Sequence, residues 1–489
     1  MPKSQTNLGW DVLLDLGAER GGPLHARLTR AIRAAIRAGT LPWGSALPPS
    51  RTLAADLGCS RWVVTQAYEQ LVAEGYLGAR VGSATRVRWP EEPTAPAAAT
   101  APAPTRPPRA DLVPGLPDLR SFPRRAWLDA LRAELSTVPH AELGRTAGAG
   151  HPRLRRVLAE YLERVRGAAV APEDVTITAG VADGMAHLFR ALAAAGATTI
   201  AVEDPGWHRL REIASVTGLT LAPQPVDGHG MRVDRLVEAG GIAAAVVTPA
   251  HQFPTGAVLA PARRAALVEW ATRTGALILE DDYDAEFRYD RRPVGTVQGV
   301  EPRRVVLFGS LSKTLAPAVR IGWVATPPRW TAALRATEAR GTAAPVLDQL
   351  ALARFIETGA YDRHLRSMRQ LYRARRDRLV EALAARLPGC RVVGVAAGLH
   401  VVVHLPPGVR AAAVVVAAER RGVRVMDLAS CLADPGGEPG GDAGGEPAGE
   451  PGGEGLVLGY GTLDARAVEP AVAELALAVR DASQGAARR

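Results

Sequence analysis

The sequence predicts an α/β fold, a large three-layer domain preceded by a small winged helix-turn-helix domain. Three observations lead to this prediction. A proline-rich stretch, residues 90–110, divides the 489 residues into two unequal parts. Beyond it, helical segments alternate with short apolar strands, as in three-layer α/β domains. Before it, three short helical segments precede an alternating segment that turns at a glycine. We therefore expect two domains, residues 1–89 and 111–489, joined by a linker.

The composition indicates a globular protein with neither a membrane span nor a metal site. Apolar residues make up 47% of the chain, and no segment reaches the roughly 20 consecutive apolar residues of a membrane span. The three cysteines lack the spacing of metal ligands, so we expect reduced thiols in a cytoplasmic protein. The N-terminal residues lack the apolar core of a secretion signal. The formal net charge of +9 is compatible with nucleic-acid binding.

The first helix of the small domain is predicted over residues 24–38. Leu24, Leu28, Ile32 and Ile36 recur every fourth position, while arginines occupy the other faces. This spacing places the apolar side chains on one face of a helix. Gly39 then ends it, because glycine is the usual residue after a helix.

Two further helices and a hairpin complete the predicted winged helix-turn-helix. A short helix begins at Ser50 and ends at Gly58, and Ser60 is expected to cap a third helix that ends at Gly75. In this arrangement the later helix enters the major groove of DNA. Residues 76–88 alternate and turn at Gly82, as a wing would. Residues 1–89 carry 11 basic and 6 acidic side chains, a net charge of +5 that suits phosphate.

Two low-complexity segments are predicted to lack a packed core. Residues 90–110 contain seven prolines and few side chains to bury, which is typical of an extended linker. Residues 434–455 place an acidic side chain at every fourth position between glycines and prolines. Such a composition is incompatible with a helix and predicts a disordered loop.

The long domain contains five apolar strands, most of them followed by glycine, proline or polar residues. Ligands of such domains bind beyond the carboxyl ends of the strands. The predicted strands are Val175–Thr178, Thr199–Val202, Ala243–Val247, Ala276–Leu279 and Val305–Phe308.

Lysine is the most informative residue type in the chain. It occurs only at Lys3 and Lys313, although lysine and arginine together number 59. Arginine stays protonated, whereas a lysine amine can lose its proton and attack a carbonyl. Lys313 follows Ser310 and Ser312 and precedes Arg320, so hydroxyls and a guanidinium are available for a phosphate. This set predicts a site at which Lys313 forms a Schiff base with pyridoxal 5'-phosphate.

Other candidate residues for this cofactor follow the other strands. Asp281 could keep a pyridine nitrogen protonated, and Tyr283 could hydrogen-bond the ring oxygen. The helix that begins near Val181 and Ala182 offers free backbone amides for phosphate. Trp207 could lie over the ring. Each residue alone has a structural alternative, such as a helix cap or a core position, but together they surround the single internal lysine.

The small domain resembles the winged-helix domain of GntR-type transcription regulators. The resemblance lies in residues 47–61, from Leu-Pro-Pro-Ser-Arg to Gly-Cys-Ser-Arg, and in Ala-Tyr-Glu-Gln-Leu-Val-Ala-Glu-Gly-Tyr-Leu at residues 67–77. It departs at Ala84, where a wing glycine is usual, and at Trp62, where small polar residues are usual. Trp62 either stacks on DNA or packs in the core. The resemblance implies that the DNA-facing residues are Arg51, Ser60, Arg61, Trp62, Thr65, Gln66 and, at the tip of the wing, Gly82 and Ser83.

The long domain resembles class I aminotransferases, and the two domains together resemble the MocR/GabR type of bacterial regulator. The resemblance lies in the opening segment 111–127 and in Glu-Asp-Asp-Tyr-Asp-Ala-Glu-Phe at residues 280–287. It implies a fold-type-I domain with pyridoxal phosphate as cofactor. It also implies that Lys313 forms the Schiff base, that Asp281 pairs with the pyridine nitrogen, and that Arg209 binds an effector carboxylate.

Three departures from the aminotransferase pattern bear on function. Phe253 stands where the motif has asparagine, so the ring oxygen loses a donor. Asp183 lies in the phosphate turn and must point away from phosphate. Val457 stands where an arginine normally binds the substrate carboxylate, a strong directional contact. The last departure argues against ordinary turnover of α-amino acids.

We expect a homodimeric, ligand-responsive transcription regulator that binds double-stranded DNA. The sensed ligand would be pyridoxal phosphate itself, with vitamin B6 synthesis as the regulated process, or an amino compound that reacts at Lys313. The alternative is an active aminotransferase with an appended DNA-binding domain. A third interpretation treats the small domain as a protein-interaction module.

Overall fold

The computed structural model describes residues 22–79, 84–88, 108–144, 148–289, 294–338, 344–394, 396–433 and 454–487. The chain divides into two compact units between Arg106 and Pro107. The wing tip at Gly82 and Ser83, linker residues 90–107 and acidic residues 434–453 lie outside the described residues. Within the described ranges, no helix has the length and apolar character needed to cross a membrane.

The small unit contains the three predicted helices and a short hairpin. Its helices are α1 (Leu24–Arg37), α2 (Ser50–Asp56) and α3 (Arg61–Ala73), and its antiparallel strands are β1 (Leu77–Gly78) and β2 (Arg86–Val87). Leu28, Ile32 and Ile36 form its core with residues of the other helices, as the four-residue spacing predicted. Leu24, the first residue of that pattern, is 37% exposed and lies outside this core. The predicted cap at Ser60 is wrong in one respect. Ser60 holds the cap position, but its side chain makes no capping hydrogen bond.

The large unit contains eleven described α-helices. Several of them begin with proline. The N–H that proline lacks would have no partner in the first turn of a helix, so its absence costs nothing there. The helices are α4 (Arg124–Leu135), α5 (Pro152–Arg166), α6 (Val181–Ala194), α7 (Arg209–Ser215), α8 (Val233–Ala239), α9 (Pro261–Thr274), α10 (Pro328–Glu338), α11 (Val346–Glu357), α12 (Ala360–Arg386), α13 (Ala411–Arg420) and α14 (Val468–Ala487). Short 3-10 turns lie at Leu119–Ser121, His140–Leu143, Pro172–Asp174, Pro317–Val319 and Leu428–Cys431.

An eight-stranded sheet forms the centre of the large unit, in the order β4-β11-β10-β9-β8-β5-β6-β7. The five predicted strands are present and parallel where they pair with one another. Strand β11 is antiparallel to both of its neighbours, and β7 is antiparallel to β6. The strands are β4 (Val175–Thr178), β5 (Thr199–Asp204), β6 (Thr220–Asp227), β7 (Gly230–Met231), β8 (Ala244–Val247), β9 (Leu277–Asp281), β10 (Val305–Ser310) and β11 (Gly322–Ala325).

Both faces of this sheet are buried, which confirms the predicted three-layer fold. Ile200 and Val202 of β5 belong to one core together with α6, whereas Ala201 between them belongs to another core together with α9. Successive side chains of a strand point to opposite faces, so continuous apolar strands need helices on both sides. The carboxyl ends of the parallel strands therefore meet at one edge, where a site can form.

A second, four-stranded antiparallel sheet has the order β12-β13-β16-β15. At two positions the structure differs from the predicted bounds of the low-complexity segments. Ala110, placed at the end of the linker, lies in β3 and pairs with Val423 of β14. Gly455, placed at the end of the acidic loop, begins β16. The strands are β3 (Ala110–Asp111), β12 (Arg391–Val393), β13 (His400–His404), β14 (Val423–Arg424), β15 (Met426–Asp427) and β16 (Gly455–Gly459).

Candidate functional site

A cavity of about 330 Å³ lies at the carboxyl ends of the parallel strands of the large unit. Every cofactor residue predicted from the sequence lines it, and so does Arg209. The lining includes Val181, Ala182, Trp207, Arg209, Asp281, Tyr283, Ser310, Ser312, Lys313 and Arg320. It also includes Phe253, which the sequence analysis named as a departure from the motif, and Glu203, Asp284, Leu399, His400 and Met426, which it did not name.

Lys313 projects into this cavity from the turn after β10. Its Nζ donates a hydrogen bond to the carbonyl of Gly115 at 2.6 Å. Burial lowers the pKa of this amine below its ordinary value, although the charges of Asp284 and Asp281 oppose the shift. A lowered pKa makes the neutral, nucleophilic amine more accessible near neutral pH.

Asp281 differs from the acidic residues beside it. Asp282 forms a buried ion pair with Arg166 at 2.7 Å, and Glu280 accepts two backbone hydrogen bonds at 2.9 Å. Asp281 is 8% exposed, and its Oδ1 has no hydrogen-bond partner among the described residues. Burial, with help from Asp282, raises its pKa to about 7. Asp281 is thus a buried carboxyl group with an acceptor available to a ligand.

Tyr283 belongs to a buried polar group that the sequence did not predict. Its hydroxyl lies 3.1 Å from Nδ1 of His251, and that nitrogen lies 3.0 Å from Oδ2 of Asp284. His400 packs against the His251 ring with centroids 5.0 Å apart. The only sequence signal was indirect, since His251 and Asp284 lie in two polar segments that follow neighbouring strands.

The turn between β4 and α6 forms another side of the cavity. Gly180 adopts φ 122°, a conformation that favours glycine, and the helix begins at Val181. Asp183 accepts a hydrogen bond from the backbone N–H of Ala179 at 2.9 Å and faces His187 at 3.5 Å. Its carboxylate is therefore engaged within the turn.

The backbone of Arg320 adopts the left-handed conformation. Arg320 is the one non-glycine residue in the described part of the chain with positive φ, at 55°. The left-handed region is unfavourable for a residue with a Cβ, and such residues concentrate at functional sites. Its side chain lines the same cavity as Ser310 and Ser312.

Trp207 and Arg209 lie on the cavity wall beyond β5. The Arg209 side chain is 59% exposed and lies 3.7 Å from Glu212. The neighbouring Arg211 donates to the carbonyls of Leu432 and Ala433 at 2.5 and 2.7 Å. Glu203, at the end of β5, accepts hydrogen bonds from Thr248, and burial raises its pKa to about 7.

The four-stranded sheet carries an apolar cross-strand row next to the cavity, and Met426 of this row lines the cavity. Val457 pairs with Val402 on one side and with Met426 on the other. Met426 and His400 line the cavity, and Val402 shares the face of His400 because side chains alternate along a strand. Their neighbours Val401 and Val403 belong to the core on the opposite face. Val457 therefore lies on the cavity side of this sheet, in a wholly apolar cross-strand row.

In the small unit, α3 presents a polar outer face. The Thr65 hydroxyl donates a hydrogen bond to the carbonyl of Arg61 at 3.0 Å, and the Gln66 amide donates one to the carboxylate of Glu69 at 2.9 Å. Arg61 reaches Ser50 at 3.2 Å, and Ser60 and Arg51 are both exposed. Trp62 is 61% exposed. Among the described residues, the ring contact found for Trp62 is a T-shaped one with His25, with the two ring centroids 5.6 Å apart. The alternative that Trp62 is a core residue is therefore excluded.

Two family models match the chain. Residues 24–87 match bacterial regulatory proteins of the gntR family, and residues 119–438 match aminotransferase class I and II. The HTH-type pyridoxine biosynthesis transcriptional regulator PdxR of Corynebacterium glutamicum is 32% identical over 477 residues, covering 96% of this chain and 99% of that protein. The Probable rhizopine catabolism regulatory protein MocR of Rhizobium meliloti is 35% identical over 403 residues, covering 76% of this chain and 80% of that protein.

The chain belongs to the MocR-type transcription regulators. It is a DNA-binding regulator whose large unit is a fold-type-I, aminotransferase-like domain. Among solved structures, an archaeal alanine:glyoxylate aminotransferase matches with a TM-score of 0.67 and 24% identity, covering 76% of this chain and 91% of that chain. The kynurenine aminotransferase of Pyrococcus horikoshii also has a TM-score of 0.67, at 22% identity, covering 77% and 92%. These likenesses confirm the predicted fold.

The residues of the cavity fit pyridoxal phosphate, the cofactor of this class of domain. The unpartnered Oδ1 of Asp281 is the acceptor that a protonated pyridine nitrogen requires. Two hydroxyls, the start of α6 and Arg320 are a donor set suited to a phosphate. When bound to a lysine, pyridoxal phosphate supplies an electrophilic carbon and a ring that accepts electrons. The regulator holds its amine, Lys313, in the same cavity with a lowered pKa.

Proposed function

We propose that this regulator holds pyridoxal phosphate on Lys313 and that the cofactor is itself the sensed ligand. Its arrival would change the packing of the large unit and thereby alter binding of the small unit to an operator. A ligand shifts such an equilibrium only through its different affinities for the two states. The regulated process would then be the supply of vitamin B6.

The observation that carries this proposal is the apolar cross-strand row of Val402, Val457 and Met426 on the cavity side of the four-stranded sheet. An α-amino acid needs a partner for its carboxylate in such a cavity, and a bidentate arginine is the strongest one. This row contains no cation. A cavity that fits the cofactor and has no arginine in this row favours the cofactor as the ligand. The name of the Corynebacterium glutamicum relative, a regulator of pyridoxine biosynthesis, supports the same proposal.

The lining of the cavity supports the proposed residue roles in the large unit. Asp281 would hold the pyridine nitrogen, Tyr283 the ring oxygen, and Trp207 one face of the ring. Val181, Ala182, Ser310, Ser312 and Arg320 would hold the phosphate.

In the small unit, Arg51 and Arg61 would contact DNA phosphates, and Ser60, Trp62, Thr65 and Gln66 would face the groove. Replacing Arg51 or Arg61 by alanine should weaken DNA binding and reduce its salt dependence by about one unit of slope per lost contact. Unchanged affinity and slope in both variants would instead favour a protein-interaction role for this unit.

We also propose that the regulator acts as a homodimer in the cytoplasm. Leu128 and Leu135 lie on one face of α4 and are 50% and 56% exposed. Exposed leucines two turns apart on a helix suit burial against a second copy. Sedimentation of the full-length protein would test the dimer.

The deciding experiment is fluorescence anisotropy of cofactor-free, full-length protein on the DNA upstream of its own gene, with and without pyridoxal phosphate. The proposal expects the cofactor to change the affinity at least several-fold in the wild type and not in Lys313→Ala. DNA binding that is indifferent to pyridoxal phosphate in the wild type would contradict the proposal.

Arg209 supports a second candidate, an amino compound that carries a carboxylate. This guanidinium lines the cavity and is largely exposed, so a carboxylate can reach it. The effector would react at Lys313, and slow transamination could accompany it. Loss of an amino acid's effect on DNA affinity in Arg209→Ala, with cofactor binding retained, would support this candidate. Steady turnover of an amino acid and a keto acid without affinity for DNA would instead indicate an enzyme.

A further inference from the structure

Three polar groups at the cavity contact one another, and two of them, Tyr283 and Asp284, belong to its lining. They are the Tyr283 hydroxyl, Nδ1 of His251 and the carboxylate of Asp284, at separations of 3.1 and 3.0 Å. The His251 and Asp284 side chains are 2% and 1% exposed. A Cβ at Gly398 would overlap the imidazole and press on the carboxylate, so the backbone closes directly over the pair.

The charge of Asp284 selects one tautomer of His251. An ionised carboxylate can only accept hydrogen bonds, so Nδ1 of His251 must carry the hydrogen that it donates to Asp284. A nitrogen that carries a hydrogen cannot also accept one from Tyr283. The hydrogen of the Tyr283 hydroxyl therefore remains available for another acceptor. In the other tautomer, Nδ1 would take that hydrogen and also face the carboxylate with a lone pair.

One further contact holds the imidazole of His251 in place. His400 packs against its ring, and His400 is itself fixed because its Nε2 donates to the carbonyl of Pro254 at 2.9 Å. Burial, reinforced by the charges of Asp284 and Asp281 and by the closeness of the Asp284 carboxylate to the hydroxyl, raises the pKa of Tyr283 well above its ordinary value. The phenol therefore stays protonated and can donate.

We infer that His251 and Asp284 are positioning residues that keep the Tyr283 hydroxyl free to donate into the cavity. This inference rests on the proposed function, in which that hydroxyl serves the ring oxygen of pyridoxal phosphate. Phe253 contacts the Tyr283 ring edge-on at 6.4 Å and offers no donor of its own. The charged and titratable groups that also act on these side chains are Asp281, Lys313, Glu203 and His400.

The test is a pH titration of the visible absorbance of the full-length protein loaded with pyridoxal phosphate. A phenol that donates to the ring oxygen stabilises its anionic form, so Tyr283→Phe should raise the pH of the spectral midpoint. His251→Ala should raise it by about one unit, a tenfold change in proton affinity, because Asp284 then takes the Tyr283 hydrogen. His251→Asn keeps an N–H at the position of Nδ1 and should stay close to wild type.

A double-mutant cycle separates positioning from other effects. His251→Ala should add little in a Tyr283→Phe background, since no hydroxyl remains to be diverted. An equal shift in both backgrounds, or no shift in His251→Ala alone, would overturn the inference. A wild type that gives no visible band with pyridoxal phosphate would instead defeat the proposed function, and the inference with it.

Asp284→Asn provides a second variant in case His251→Ala does not fold. Removing a negative charge near Lys313 favours proton release there and by itself lowers the spectral midpoint, because an opposite charge stabilises the protonated form. Loss of positioning raises the midpoint. The change in the spectral midpoint that Asp284→Asn causes should therefore be about one pH unit more positive in the wild type than in the Tyr283→Phe background. Equal effects in the two backgrounds would contradict the inference.

Discussion

The two units hold their functional groups in opposite surroundings. The large unit buries carboxyl groups around an amine, so that burial raises the pKa of Asp281 and lowers that of Lys313. The small unit exposes apolar rings, with Trp62 at 61% and Trp43 at 56%. Buried charges favour a ligand that supplies the missing partner, whereas exposed rings favour a surface that removes water. The contrast therefore assigns a small polar ligand to one unit and a large partner to the other.

The largest effect expected concerns the internal lysine. Lys313→Ala should abolish the visible absorbance that pyridoxal phosphate develops when it is bound to a lysine, because the chain has only one other lysine, Lys3. Lys3→Ala is the matched control and should leave the band unchanged. The measurement is an absorbance spectrum after gel filtration. A band that survives in Lys313→Ala would show that the cavity is not the site of attachment.

The next effect compares a buried and an exposed ion pair within the large unit. Arg166 and Asp282 pair at 2.7 Å with side chains only 4% and 6% exposed. Arg166→Ala leaves a buried carboxylate without its partner and should lower the free energy of unfolding by about 3–5 kcal/mol. Arg156 pairs with Glu160 at 51% and 61% exposure, and Arg156→Ala should cost under about 1 kcal/mol. Urea unfolding of the large unit would measure both, and similar losses would contradict the distinction.

A third prediction concerns the pH dependence of the cofactor-free protein. Because burial raises the pKa of Asp281 from its ordinary value to about 7, the folded state binds this proton more tightly than the unfolded state. Stability should therefore be lost as the pH rises from about 4 to 7. Asp281→Asn removes this loss and should raise the melting temperature at pH 8 but hardly at pH 4.

The exposed Asp56 of the small unit provides the control for that experiment. Asp56→Asn should have little effect at either pH, since an exposed carboxyl group is solvated in both states. Glu203 and Glu280, whose pKa values are raised in the same direction, remain in every variant. Only the difference between variant and wild type therefore reports on Asp281, and equal melting temperatures at pH 8 would refute the prediction.

Local patterns were sufficient to predict the fold and the lining of the cavity. The five parallel strands were readable because a sheet covered on both faces requires continuous apolar runs. Lys313 stood out because arginine fills the other basic positions. The additional strands β6, β7 and β11 were not predicted. Strand β6 contains Pro223 and Pro225, which are unusual inside a strand, and β7 has only two residues.

The polar group around Tyr283 illustrates what local patterns cannot supply. His251 and Asp284 are 33 residues apart in the chain and meet through the packing of two turns. Nothing in the sequence near either residue specifies that distance. The environment of Trp62 is a similar case, because helical spacing alone did not distinguish an exposed ring from a core residue.

The smallest expected effect concerns the exposed ring of Trp62 in the small unit. Trp62 lies in the first turn of α3, and residues at the start of such a helix contact base edges. The apolar feature of those edges is the thymine methyl group. On a duplex selected by the full-length protein from random DNA, Trp62→Ala should weaken binding about tenfold, and replacing thymine by uracil should weaken wild-type binding similarly. Uracil should have little further effect on Trp62→Ala, because the methyl contact is already lost. Trp43 has a ring of similar exposure outside α3. Trp43→Ala should therefore leave the sensitivity of binding to uracil intact. If Trp62→Ala and uracil act additively, the ring contacts sugar or phosphate instead, and the small unit recognises sequence through its polar side chains alone.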